Sequence, residues 1–358
     1  MPINAPERNT DTVSCRTITR REFMYYSSGF FGTLALSPDA FGEVGDDKNP
    51  VKILQYPINP KVSTTLQEMI SFPKTIPGLT KTEICRIEQF DQFGYGKWTL
   101  GSALPLMPRT DIMAKEYSKP ASGRITKFVN FFAFSDIHIS DKEAPNQLVY
   151  FQQADEFAYS NTSVYSPVML YSTHVLDAAI QTVNALHKQI PFDFGISLGD
   201  TCNSTSYNEL RWYIDVIDGK VIRPGSGARV GEDSIDYQKP YQAAGIDKTI
   251  PWYQTMGNHD HFFLGSFPVD ANPALGLRAS YVADTVWAVA DILVPNLQTF
   301  PARFNINGIT AEPKFYTGVL DGSTPYGTII HAGPSTDPAF AAGSPKITAD
   351  PDRRSLVR

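Results

Sequence analysis

A chain of 358 residues is long enough for one large domain with excursions or for two of ordinary size. Its apolar fraction of 42% and charged fraction of 19% describe a globular protein with ample core-forming residues. The net charge of −6 argues against a nucleic-acid partner held by bulk electrostatics, so phosphate in a substrate has to be met by local positive charge such as a metal. Three cysteines are too few for a disulfide framework, and none is expected.

In chain order, the first feature is the paired Arg20 and Arg21 with Phe23 two positions later. A short, weakly apolar run with Gly and Ser follows over residues 25–36, and small or polar residues over 37–42. This pattern resembles a twin-arginine export signal over residues 1–42. It implies the export machinery as a partner and a periplasmic or otherwise exported location. The run is far shorter than the roughly 20 apolar residues that span a bilayer, so no stable membrane span is expected. Residues 43–124 are rich in Pro, Thr and Gly without long periodicity, and short elements are expected at 80–84 and 95–98. They read as a lead-in segment packed on a domain over residues 125–358.

From Lys127 the pattern sharpens. The apolar run 128–134 predicts a strand buried on both faces. Ser172 or Thr173 can cap a helix with Val175, Ala179, Ile180, Val183 and Leu186 at helical spacing, ended by Pro191. A second buried strand is predicted over 192–198. A helix with Leu210, Ile214 and Ile217 on one face then stops at Gly219, and a third strand is predicted over 250–256. This alternation is that of a layered α/β sheet with helices on its faces.

Three polar clusters follow these strands directly: Ser135-Asp136-Ile137-His138, Gly199-Asp200-Thr201-Cys202-Asn203 and Gly257-Asn258-His259-Asp260. Open α/β sheets bind ligands beyond the carboxyl ends of their strands, so Asp136, His138, Asp200, Asn258 and His259 are expected to share one crevice. Oxygen and imidazole donors together suit Mn, Fe, Zn or Co. Alternate residues of an extended strand point the same way, so Asp136 and His138 can hold one ion. Asp200, with two carboxylate oxygens, can bridge two ions about 3.5–4 Å apart. Asn258 offers a neutral carbonyl oxygen. His259 can donate a proton to a leaving oxygen, and Asp260 can fix its orientation.

The ordered set D-x-H, G-D-x-x-N, G-N-H-D, spanning Asp136 to Asp260, resembles the calcineurin-like metallophosphoesterase superfamily. The export signal and the Tyr95-Gly96-Lys97-Trp98 lead-in resemble an exported bacterial branch of it. The resemblance implies an α/β-β-α sandwich of mixed sheets flanked by helices. It also implies two divalent metal ions and hydrolysis of a phosphate-ester substrate, monoester or diester, by a metal-bound hydroxide. On it, Asp136, His138 and Asp200 bind one metal, and Asp200 and Asn258 begin the shell of the second. His259 is the general acid, with Asp260 behind it, and Asn203 is a supporting residue around the ligands.

The family pattern continues with a lone His after a strand and a G-H-x-H. This chain has six His, no G-H-x-H, and only His331, in Gly- and Pro-rich surroundings that read as a loop, to stand for the lone one. His174 and His187 read as packing or surface residues of a helix, and His261 as a neighbour of the crevice. Arg223 and Arg229 lie on the stretch between Asn203 and Gly257, which can cap the site, and are candidates to meet phosphate. Residues 350–358 read as ending without a closing element. The chain is therefore expected to be C-terminally incomplete, the product of an interrupted frame, or a divergent relative with other ligands. The alternative function is an inactive metal- or phosphate-binding relative acting as an interaction module.

Overall fold

The computed structural model describes residues 53–55, 61–71, 99–118, 127–149, 167–270, 273, 276–288, 315–323, 327 and 329–357. By its contacts the chain divides into Met1–Asn49 and Pro50–Arg358, and every described residue belongs to the second unit. The expected export signal, Cys15, Cys85 and the segments 80–84 and 95–98 lie outside the described residues.

The architecture is mixed α/β. Its described strands are β1 (Leu54–Gln55), β2 (Glu68–Ser71), β3 (Thr99–Ser102), β4 (Phe131–Phe134), β5 (Phe194–Ser197), β6 (Val221–Ile222), β7 (Tyr241–Gln242), β8 (Trp252–Gln254), β9 (Phe315–Val319) and β10 (Ile330–Pro334). Its described α-helices are α1 (Ser172–Gln189), α2 (Tyr207–Asp218), α3 (Asn258–His261) and α4 (Leu277–Val282). Among the described residues no helix is long and apolar enough to cross a membrane.

The sheet that matters for function is β4-β5-β8, all parallel, with Phe132 opposite Gly195 and Gly195 opposite Trp252. Helix α1 carries the chain from β4 to β5, and α2 begins the longer return to β8. Parallel crossovers are almost always right-handed, and two that advance in the same direction place their helices on one face, in keeping with the packing of α1 and α2 in one core. The core follows from this: Leu176, Ile180 and Val183 of α1 and Trp212, Val216 and Ile217 of α2 pack over Phe132, Phe134 and Trp252. The rings of Phe132 and Trp252 stack at 5.7 Å.

The same topology corrects the expectation that the 128–134 strand is buried on both faces. Phe131 is 50% exposed and Phe128 94%. On that side Phe131 stacks on Phe194 at 4.9 Å, and Phe194 meets Tyr253 edge-on at 5.7 Å, with no described helix above them. A continuous apolar run says that both faces of a strand are apolar, not that both are covered. Helix α1 is also rotated from its expected face, since Leu176 is buried while Val175 is 52% exposed. Helix α2 ends where the sequence predicts, with Gly219 in the left-handed conformation at φ 74°.

Beneath the first polar cluster lies a buried charge network. Asp141, Lys142, Glu143, Glu209 and Arg353 are each no more than 3% exposed. The Arg353 guanidinium lies 3.3 Å from Asp141, donates to Ser226 Oγ from Nε and Nη2 at 3.0 Å, and donates to the Thr348 carbonyl at 2.9 Å. Glu209 accepts from the Asp141 and Ser204 amides at 2.9 and 2.8 Å. Burial pushes Glu209 up to about 7, against the pull of those two amides. Burial likewise pushes Glu143 up and Lys142 down, which moves that pair toward neutrality. Residues 350–357, expected as a loose end, are thus tied into the core. Two further bonds join the same segment to the start of α2, from Tyr207 N to Arg354 O at 2.8 Å and from Leu356 N to Thr205 O at 2.9 Å.

His174 illustrates how a helix histidine is used for packing, in line with its expected role. Its ring stacks on Tyr241 at 4.3 Å, and burial, with Lys142 nearby, holds its pKa down to about 4. A histidine that stays neutral in the folded chain but takes up a proton near 6.5 when unfolded contributes stability that is present above that pH. The contribution is lost as pH falls from about 6.5 through about 4. Replacing His174 with Phe keeps an aromatic ring over Tyr241 and is expected to flatten the acid side of the stability profile. Melting temperatures of both chains between pH 7 and pH 4 check this. Parallel curves would mean that His174 is not the group that titrates.

Candidate metal centre

Three loops meet at the carboxyl ends of β4, β5 and β8. The first two are zipped by backbone bonds: Asp136 N to Gly199 O at 3.2 Å, His138 N to Asp200 O at 2.9 Å, and Ile139 N to Thr201 O at 2.9 Å. The third is pinned to the second by His259 N, which donates to Asp200 Oδ1 at 2.8 Å. This approach requires Gly257, because a Cβ there would lie 2.1 Å from Asp200 Oδ1.

Asp136, His138 and Asp200 all have left-handed backbones, with φ of 56°, 49° and 53°. Each such residue costs on the order of 1 kcal/mol, and clusters of them mark functional loops. The first two correct the expectation of an extended D-x-H segment. Their side chains still approach each other, with Asp136 Oδ1 3.8 Å from His138 Nε2, but through two left-handed residues rather than through strand alternation.

His138, Asp200 and His259 form a donor group whose ligand atoms all lie within 4.8 Å of one another. Asn203 supports both imidazoles. Its Oδ1 is 3.1 Å from His138 Nδ1, and its main-chain carbonyl oxygen is 2.6 Å from His259 Nδ1. A carbonyl oxygen only accepts, so each Nδ1 carries the proton and each Nε2 keeps its lone pair. The rings lie edge to face at 4.3 Å. Burial, together with the neighbouring His259, holds the His138 pKa below its ordinary value, favouring the neutral form that ligates a cation. An oxygen, two imidazole nitrogens and a shared polar support fit a borderline divalent ion.

The remaining sequence candidates are placed as follows. Asp136 is exposed at the rim and takes a hydrogen bond from Ser135 Oγ, outside the three-residue donor group. Asn258 is exposed, and its Nδ2 donates to Gly265 O at 2.9 Å, leaving the amide oxygen as the atom it offers. Asp260 does not orient His259. Its Oδ1 accepts from Thr201 N, Cys202 N and Thr201 Oγ1 at 2.9, 3.0 and 2.7 Å, and its Oδ2 from Gly257 N at 2.9 Å. It locks the second loop to the third, and the orienting role passes to the Asn203 carbonyl. His331 lies within β10, not in a loop, at φ 60° and outside the donor group. His261 is exposed beside Phe262. Arg223 pairs with Glu232, and Arg229 is exposed. The stretch between Asn203 and Gly257 contains α2, β6 and β7, and its Ser226 is bonded into the Arg353 network.

No family model, curated protein or solved structure matches this chain. The site's chemistry rests on its own donors. Beside them a cavity of about 700 Å³ opens between the first loop and α1, lined by Asp136, His138 and Asn203 at one end and by Met169, Val175 and Leu176 elsewhere. Cys202, the buried thiol of the second loop, is fully covered, and burial raises its pKa well above the ordinary value.

Proposed function

We propose that this chain is a metal-dependent phosphoesterase of the calcineurin-like type, hydrolysing phosphate esters at the centre built by His138, Asp200 and His259. The observation that carries the reading is the convergence of these donors to within 4.8 Å from loops that follow three adjacent parallel strands. On this reading the described α/β layer belongs to the family's sandwich. Asp136 and Asn258 would complete the shells of two divalent ions around a shared Asp200, and residues 1–42 would direct export by the twin-arginine route.

The ions would supply Lewis-acid activation of water and neutralisation of charge at the phosphoryl group. The chain's own residues do the rest. Asp200 Oδ1 anchors the His259 backbone, Asn203 holds both imidazoles in one tautomer, and Asp136 stands at the exposed rim, 3.8 Å from His138 Nε2. His259 belongs to the donor group through Nε2, and the general-acid role that the resemblance implies would require that nitrogen to be free of the ion and to carry a proton.

A second reading, an inactive relative that binds a metal or a phosphate group, is favoured by one feature: among the described residues the donor group has three members, and His331 stands outside it. Metal analysis of chain purified without chelators, followed by p-nitrophenyl phosphate hydrolysis, separates the two. The esterase reading expects retained divalent metal, turnover lost on chelation, and recovery on adding Mn or Zn. Metal retention without turnover under Mn, Fe, Zn and Co would favour the binding module, and a chain that holds neither metal nor inorganic phosphate would sink both.

A further inference from the structure

The cavity beside the donor group has a composition that points to a substrate class. Ser172, Val175, Leu176 and Ala179 contribute one wall, at positions i, i+3, i+4 and i+7, a single stripe of α1. Ile137, Phe134 and Met169 add further apolar surface. Among the described lining residues there is no Lys or Arg, and Asp136 is the one carboxylate. At about 700 Å³ the cavity is in the size range of sites for small organic molecules. Val175 is 52% exposed although it belongs to a helix whose neighbouring Leu176 is 3% exposed, so an apolar side chain is held available on the cavity wall.

The polar end differs in kind. There His138 belongs to the donor group, and Asn203, 3% exposed, keeps its Nδ2 without a hydrogen-bond partner while its Oδ1 is engaged with His138. The two ends therefore ask for different parts of one molecule. An anionic group fits the donor end, and walls without a cation disfavour charge elsewhere.

We propose that the cavity receives the organic group of a phosphate ester whose body is uncharged and apolar, aryl or alkyl, with the phosphoryl group at the end lined by His138. Esters whose organic part carries further phosphates, such as nucleoside di- and triphosphates, are disfavoured. This inference rests on the phosphoesterase reading for the identity of the anionic group, but it concerns recognition rather than turnover.

The test compares binding of phenylphosphonate and methylphosphonate to the metal-supplemented full chain by calorimetry, since neither needs to be hydrolysed. The expected result is a preference for the phenyl compound of at least about tenfold. Val175→Asp is expected to erase that preference and Val175→Leu to keep it, and Val175 is exposed enough for both chains to fold. Equal affinity for the two phosphonates, binding of neither, or a phenyl preference unchanged in Val175→Asp would overturn the proposal. A phenyl preference that depends on residue 175, in a chain that hydrolyses no ester, would sustain it and fail the esterase reading instead.

Discussion

Asp200→Asn is expected to lower metal affinity by at least about 100-fold and to remove ester hydrolysis with it. Loss of a mere supporting partner costs about 10–100-fold at metal sites, and Asp200 is the carboxylate of the donor group itself, so the top of that range is the smallest loss expected. The substitution isolates charge from shape. Asn tolerates the left-handed backbone at φ 53°, and its amide oxygen can still accept the His259 N–H now bonded at 2.8 Å. The loops should therefore keep their arrangement while the donor group loses its anion. Metal content after dialysis and the rate on an aryl phosphate are the readouts. If the variant holds metal and turns over within a few-fold of the parent, Asp200 is not central to the site.

Arg353→Met carries the largest expected loss of stability, about 3–5 kcal/mol, the range found when one partner of a buried ion pair is removed. The cost comes from what is left behind. Asp141, 1% exposed, would keep its charge without the guanidinium, and Ser226 Oγ would lose two donors. Combining Arg353→Met with Asp141→Asn should recover much of the loss, because the stranded charge disappears with its partner. Denaturant unfolding of the two single variants and the double variant tests this. Additive losses would show that the pair acts through packing alone.

The parts of this molecule legible in the sequence are those encoded locally. The strand–helix alternation and the polar clusters after 128–134, 192–198 and 250–256 all depend on neighbours within a few positions, and the Gly219 stop is a local steric fact. What the sequence hides is long-range. The pairing of Arg353 with Asp141 joins residues 212 positions apart, and no local pattern marks either member. The side of the β4-β5-β8 sheet that carries no helix among the described residues depends on the direction in which the crossovers advance, which an apolar run does not record. Within the site, spacing pointed to the three loops that the structure brings together but not to how their side chains bond. Asp260 stands beside His259 in sequence, yet its side chain faces the amides of Thr201, Cys202 and Gly257. The residue that aligns both imidazoles is Asn203, whose usefulness comes from a main-chain and a side-chain oxygen acting in different directions.

The placement of Cys202 gives the centre a built-in reporter. The thiol sits between Thr201, which helps clamp the second loop to the third, and Asn203, which aligns both imidazoles. It is wholly covered, and its raised pKa keeps it out of the reactive thiolate form. An alkylating reagent can reach it only during excursions that detach this loop from its neighbours. With Cys15 and Cys85 replaced by Ser, the alkylation rate of the chain becomes a clock for how often the loops that carry the donor group come apart.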